Sequence, residues 1–159
     1  QKRISTFMSP GSEQKGAGYN VYQSKVAIGS GGFFGKGHLQ GTQTQLNFIP
    51  EQWTDFIFCV PGEEFGFVGA SIVIGLFTGL LLHGINVAGL SKNKFASAAS
   101  IGITGVFGVH VLINIGMSMG LLPVIGIPLP FLSYGGSALV ANMTMVGLLM
   151  NFYSNRKER

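Results

Sequence analysis

The sequence predicts an all-α polytopic membrane protein, with a large extracellular loop region followed by three transmembrane helices. Charged residues make up only 10% of the chain and hydrophobic ones 47%, against about 25% charged in a soluble domain. Three long runs carry no charge at all, and the basic residues near them gather on one side. A very apolar soluble domain is the alternative, but the chain lacks the polar coat such a domain needs.

The runs are FGFVGASIVIGLFTGLLLHGINVAGL (65–90), ASAASIGITGVFGVHVLINIGMSMGLL (96–122) and the shorter GGSALVANMTMVGLLMNFY (135–153). An α-helix needs about 20 residues to cross about 30 Å of hydrocarbon. Inside lipid the backbone must satisfy its own hydrogen bonds, so helices are expected. Between Lys94 and Arg156 there is no Asp, Glu, Lys or Arg. Gly75 and Gly79 lie one turn apart and suit close helix approach. Lys92 and Lys94 separate the first two runs, while Arg156, Lys157 and Arg159 follow the third. Two crossings put both clusters on one face, which the positive-inside rule makes cytoplasmic. Residues 1–64 and 122–134 are then outside, and 154–159 form a cytoplasmic tail.

Basic and acidic side chains balance in residues 1–64, so the whole net charge of +4 lies in 65–159. That pattern reads as topology. No basic stripe with interleaved aromatics exists, so nucleic acid is not an expected partner. The single Cys59 excludes an internal disulfide. The start, QKRISTFMSP, has neither an initiator Met nor a signal peptide able to carry 1–64 across a membrane. We therefore expect upstream membrane helices that this chain does not include.

Polar chemistry is expected in the outer segment. Its GSGGFFGKG stretch invites a nucleotide-binding reading, which fails. A phosphate-binding loop needs Gly five residues before the Gly-Lys pair and Ser or Thr after it; those places hold Ser30 and Gly37. A dinucleotide fingerprint from Gly29 needs Gly where Phe34 stands. Tight turns lying flat on a membrane surface are the better reading. His38, His83 and His110 are far apart and make no zinc set. His110 and Asn114 sit one turn apart and are expected to point into the bundle, in a helix-to-helix hydrogen bond.

The acids in PEQWTDFIFCVPGEEFG (50–66) stand at the edge of the first run. Pro50 suits the first turn of a short helix, which would put Glu51 and Asp55 on one face. Pro61 is expected to end that helix before Glu63 and Glu64. The acids either mark the water interface and favour helix N-termini, or serve chemistry. A carboxylate at Asp55, among Trp53, Phe56 and Phe58, would have a raised pKa, as a general base benefits from.

GAGYNVYQSKVAIGSGGFFGKGHLQGTQTQLNFIPEQWTDFIF and NIGMSMGLLPVIGIPLPFLSYGGSALVANM closely resemble the RodA/FtsW/SpoVE family (the SEDS proteins), over about Gly16 to Tyr153. QSKVAIGSGG and GTQTQL look more like the RodA branch of cell elongation than the FtsW branch of cell division. The resemblance implies a bundle of about ten helices in the bacterial cytoplasmic membrane, of which this chain holds the large extracellular loop and the last three. It implies a peptidoglycan glycosyltransferase that polymerises lipid II into glycan strands and so sets cell shape. This chain by itself is expected to be inactive.

By the same resemblance, Asp55 of the TDF triplet is the catalytic carboxylate, which takes a proton from the acceptor hydroxyl or helps position a divalent cation (Mg or Mn). No cofactor is otherwise implied. Lys25, Gln43, Gln45, Glu51 and Thr54 are the expected substrate contacts, with Ser133, Gly135 and Gly136 from the loop PVIGIPLPFLSYGG. The implied partners are a class B penicillin-binding transpeptidase and other membrane proteins of the elongation complex. The chain departs from the family's pattern at Trp53, commonly His; at Pro61; and at Asn47, which is Glu in some relatives. Two rival functions are a lipid II flippase and a non-catalytic scaffold activating a transpeptidase. A transporter would place its key polar groups near mid-membrane, whereas the acids here cluster at one surface.

Overall fold

The computed structural model describes residues 17–45 and 53–155. Helix α1 (Ala17–Ser30) buries Ser24 and Ala27 and half-buries Val21 and Ile28, a spacing that makes one helical face. It ends where Ser30 Oγ donates to the Ala27 carbonyl (2.8 Å), ahead of the glycine run. A single turn, α2 (Thr42–Gln45), follows. The helix expected from Pro50 begins in residues 46–52, which, with Glu51 and Asn47, lie outside the described residues. Its continuation is not an α-helix, because 53–58 form tight turns.

Helix α3 (Cys59–Glu64) corrects the reading of Pro61. The proline does not end a helix; it sits in the first turn of one, where its missing N–H has no intrahelical partner to lose. The helix runs on to Glu64.

Helices α4 (Gly66–Leu90) and α5 (Lys94–Ser118) form an antiparallel pair. The expected run 65–90 matches α4 to one residue. The expected 96–122 is shifted to 94–118 by the capping chemistry. At its start the Asn93 side chain accepts the Phe95 N–H (2.9 Å), as an N-cap does. At its end Gly120 takes φ +68, with Leu121 N–H on Gly116 O (2.8 Å) and Gly120 N–H on Met117 O (2.9 Å). This is the Schellman closure, and it stops the helix although the sequence stays apolar to Leu122. The crossing of α4 and α5 is tight at Gly84, where a β-carbon would meet the Thr104 side chain, 3.2 Å from its Cβ. Helix α6 (Gly136–Ser154) closes the chain.

All described regular structure is helical. Helices α4 and α5 are long and apolar enough to cross a membrane, and only 17% and 22% of their most apolar windows is buried in the structure. A core helix of a soluble protein would bury most of that surface. Ile72, Leu76, Leu82, Ile101, Val109 and Leu112 face outward instead. Helix α6, with 19 residues, is long enough at about 1.5 Å per residue, but Asn142 and Asn151 dilute its apolar character, and it does not meet the same criterion.

Two buried clusters join the helices to the chain around Asp55. Ala27, Phe56 and Cys59 pack with Val21, Ile28, Val60 and Val124. Ile57, Phe77 and Leu129 pack with Val60, Val73, Leu80 and Val111. Phe56 and Cys59 thus serve one core and Ile57 the other, directly after Asp55 in the chain.

Candidate active site

The turn Trp53–Thr54–Asp55 has no helix to hold its carbonyls, and each is held from elsewhere. Trp53 O accepts the Tyr134 N–H (2.8 Å). Thr54 O accepts the Ser133 hydroxyl (2.6 Å). Asp55 O accepts Asn114 Nδ2 (2.9 Å), which donates also to Ile127 O (2.8 Å). Asn114 is fully buried on α5. The expectation that it points inward holds, but its bonds go to main-chain carbonyls of the loops and not to another helix. His110, one turn earlier, is half-buried.

The loop 119–135 is pinned over this turn. Met117 Sδ accepts the Ile125 N–H (3.0 Å), and Ser133 Oγ accepts the Leu129 N–H (2.7 Å). Between these ties Gly126 adopts φ +83, a conformation that favours glycine. A β-carbon there would stand 3.2 Å from Asp55 Oδ2. The carboxylate therefore lies against the loop's bare backbone, at a half-buried position. Trp53 is exposed, while Phe56 and Phe58 turn into the protein. The aromatic enclosure expected around Asp55 is thus incomplete.

Glu63 and Glu64 do something else. Glu63 is 0% exposed and accepts from Lys36 Nζ (2.8 Å), Gln43 N (3.0 Å) and Thr44 N (3.0 Å). Burial pushes its carboxyl pKa up, but the Lys36 ammonium, the two N–H groups and the Thr44 hydroxyl outweigh this and hold it below the ordinary 4.5. Glu64 Oε2 meets His38 Nδ1 at 3.1 Å. The glycine run closes on the same place: Lys36 N–H bonds Glu63 O (3.1 Å) and Gly37 N–H bonds Glu64 O (3.0 Å). A β-carbon at Gly35 would collide with the Glu64 backbone. These acids bind the 31–45 loop to α3 and do not merely mark an interface. Beside them Cys59 is buried, its thiol pushed up to about 12 by burial and by Glu63, so it is no nucleophile.

Of the expected site residues, Asp55, Thr54 and Ser133 come together. Ser133, however, has both its donor and an acceptor position committed to the protein. Gly135 and Gly136 follow it at the start of α6, with open space around a β-carbon at Gly136. Exposed Lys25 lies on α1, the helix packed over the 56–59 turn, and its stem crosses Gly120. Gln43 belongs to the Glu63 cluster. Of Gln45 only the backbone, in α2, is described. Sequence reasoning missed Gly126, Lys36 and the role of Asn114; the irregular PVIGIPLP loop was the one signal for the first. Among the described residues no group of three or more His, Cys, Asp or Glu gathers that could hold a metal ion. Asp55 offers one carboxylate, and an Mg ion shared with substrate phosphates takes only one or two from the protein.

A family model, FtsW/RodA/SpoVE, described as cell cycle protein, matches residues 1–158. The chain belongs to the FtsW/RodA/SpoVE family. Its relatives include the peptidoglycan glycosyltransferase MrdB of Escherichia coli K12, 46% identical over 99% of this chain and 42% of MrdB. RodA of Treponema pallidum, also named a peptidoglycan glycosyltransferase, is 44% identical over 94% of this chain and 34% of that protein. Stage V sporulation protein E of Bacillus subtilis is 43% identical over 94% and 41%. A solved structure described as "Structural coordination of polymerization and crosslinking by a peptidoglycan synthase complex" superposes with a TM-score of 0.78 at 28% identity, covering 99% of this chain and 42% of that one. The chain thus spans less than half the length of these FtsW/RodA/SpoVE relatives. Membership, with the two apolar spans, makes it a membrane protein.

Proposed function

We propose that the full-length protein is a peptidoglycan glycosyltransferase that polymerises lipid II during cell elongation, with Asp55 as its catalytic carboxylate. The observation that carries this is the held turn: a half-buried carboxylate fixed by its main chain against the bare loop at Gly126. The names of the MrdB and RodA relatives support the activity.

In the proposed step, Asp55 takes the proton of an acceptor sugar hydroxyl. The freed oxygen bonds to the donor's anomeric carbon as the bond from that carbon to the lipid pyrophosphate breaks, with inversion. The pyrophosphate leaves with the electron pair, and the proton passes from Asp55 to water. A general base of this kind contributes about 10²–10⁴-fold. Lys25, on α1, is the cation proposed to meet the pyrophosphate.

The lipid tail stays in the bilayer, so the carboxylate has to sit where the chain meets the membrane. We place 1–64 and the 119–135 loop on the outer face of the bacterial cytoplasmic membrane, with α6 as a third crossing, from the Lys and Arg distribution. A class B penicillin-binding transpeptidase is the proposed partner; the description of the similar solved complex, which joins polymerisation to crosslinking, supports it.

Purified full-length protein supplied with lipid II in detergent tests the activity. Long glycan strands without any added polymerase are expected. Binding of lipid II with no strands formed would favour a transporter or a scaffold.

A further inference from the structure

We propose that Asn114 and Ser133 are positioning residues: they set where the Asp55 carboxylate stands by holding the main chain of the Trp53–Asp55 turn. The inference rests on the catalytic reading of Asp55.

A carboxylate on an irregular turn has no helix or strand to fix its direction. Catalysis is sensitive to such direction, since a misplacement of about 1 Å can cost about 10²-fold. Here two side chains from separate elements are among the groups that fix it. Asn114 comes from α5, and its one amide nitrogen bridges Asp55 O and Ile127 O at 2.9 and 2.8 Å. It thereby sets the gap between the Asp55 turn and the loop one residue after Gly126. That loop approaches the carboxylate so closely that a β-carbon at Gly126 would be 3.2 Å from Oδ2. Ser133 joins the same two segments from the other end of the loop, taking the Leu129 N–H at 2.7 Å and giving its proton to Thr54 O at 2.6 Å.

The burial of Asn114 tells the same story. An amide at 0% exposure is costly unless its polar atoms are bonded. Its nitrogen serves two carbonyls outside its own helix, while Oδ1 has no partner among the described residues. A residue serving helix packing alone would be replaceable by a leucine of similar volume. With Oδ1 unmatched, the bonds to Asp55 O and Ile127 O are what offset the cost of burying this amide.

The test compares Asn114→Ala, Ser133→Ala and Ser133→Thr in the full-length protein, with Gly84→Ala as a control destabilised at the α4–α5 crossing, away from the site. Melting temperature, KM for lipid II and kcat per folded enzyme are measured for each. Positioning predicts that Asn114→Ala and Ser133→Ala lose about 10-fold or more in kcat, up to the 10²-fold scale of a 1 Å displacement, with KM within about twofold of wild type. Ser133→Thr, which keeps the hydroxyl, recovers most of the rate. Gly84→Ala melts lower at unchanged kcat. If Asn114→Ala does not fold, the Ser133 pair decides. Wild-type kcat in the folded alanine variants, or a loss confined to KM, overturns the inference. Those results with an inactive Asp55→Asn would leave the catalytic reading standing, whereas an active Asp55→Asn removes the reading on which the inference rests.

Discussion

Asp55→Asn in the full-length protein is expected to bind lipid II at near wild-type affinity and to polymerise it about 10²–10⁴-fold more slowly, the range for loss of a general base. The substitution keeps the shape of the side chain. It also keeps the Asp55 carbonyl, and hence the bond from Asn114 at 2.9 Å. What is lost is the oxygen that takes the proton. Binding and rate should therefore separate if, as proposed, Lys25 and other groups hold the pyrophosphate and sugars. Melting temperature measured alongside guards against the trivial outcome, in which the variant is merely less folded. Near wild-type polymerisation by folded Asp55→Asn would remove the catalytic assignment.

Lys36→Met should have the largest effect on stability. Glu63 is fully buried, and Lys36 supplies its only ion pair among the described residues, at 2.8 Å. Removing one partner of a buried pair leaves an uncompensated charge, at about 3–5 kcal/mol. The lower end, about 3, applies because Gln43 and Thr44 N–H still donate to the carboxylate. The cost falls on the 31–45 loop, so its amide hydrogen exchange should accelerate far more than that of α4 or α5. The same cluster fixes a pH dependence. Glu63's folded carboxyl lies below the ordinary 4.5. The stability it supplies is therefore complete above that value, and is lost as pH falls through the folded value. In Glu63→Gln, loop exchange should be faster at neutral pH and much less sensitive to acid. Unchanged exchange in Lys36→Met would show that the pair does not hold the loop.

The helices were legible because lipid demands a simple code. Uncharged runs gave α4 to one residue and α6 to one residue at each end, while α5 differed only where Asn93 and Gly120 impose caps that hydrophobicity does not register. The TDF acid and the PVIGIPLPFLSYGG loop were also legible as neighbours through resemblance. The wiring between them was not. Whether Ser133 faces substrate or a carbonyl is decided by contacts across 79 residues of sequence, which no local pattern encodes. Asn114 showed its burial through helical spacing but not its partner, for the same reason. Pro61 misled because a proline both starts and stops helices, and which it does depends on where the turn before it ends. The Glu63 knot was hidden because its cation, Lys36, lies 27 residues away in a glycine run that looked like loop alone.

Site-specific photocrosslinking tests most directly whether lipid-linked sugar is handled between the Asp55 turn and the 119–135 loop. A photoreactive residue replaces exposed Ile125, beside Gly126, in the full-length protein, with exposed Leu82 on α4 as the comparison position. Crosslinking to lipid II at position 125 and not at 82 is the predicted result. Crosslinking at 82 with none at 125 would contradict the account.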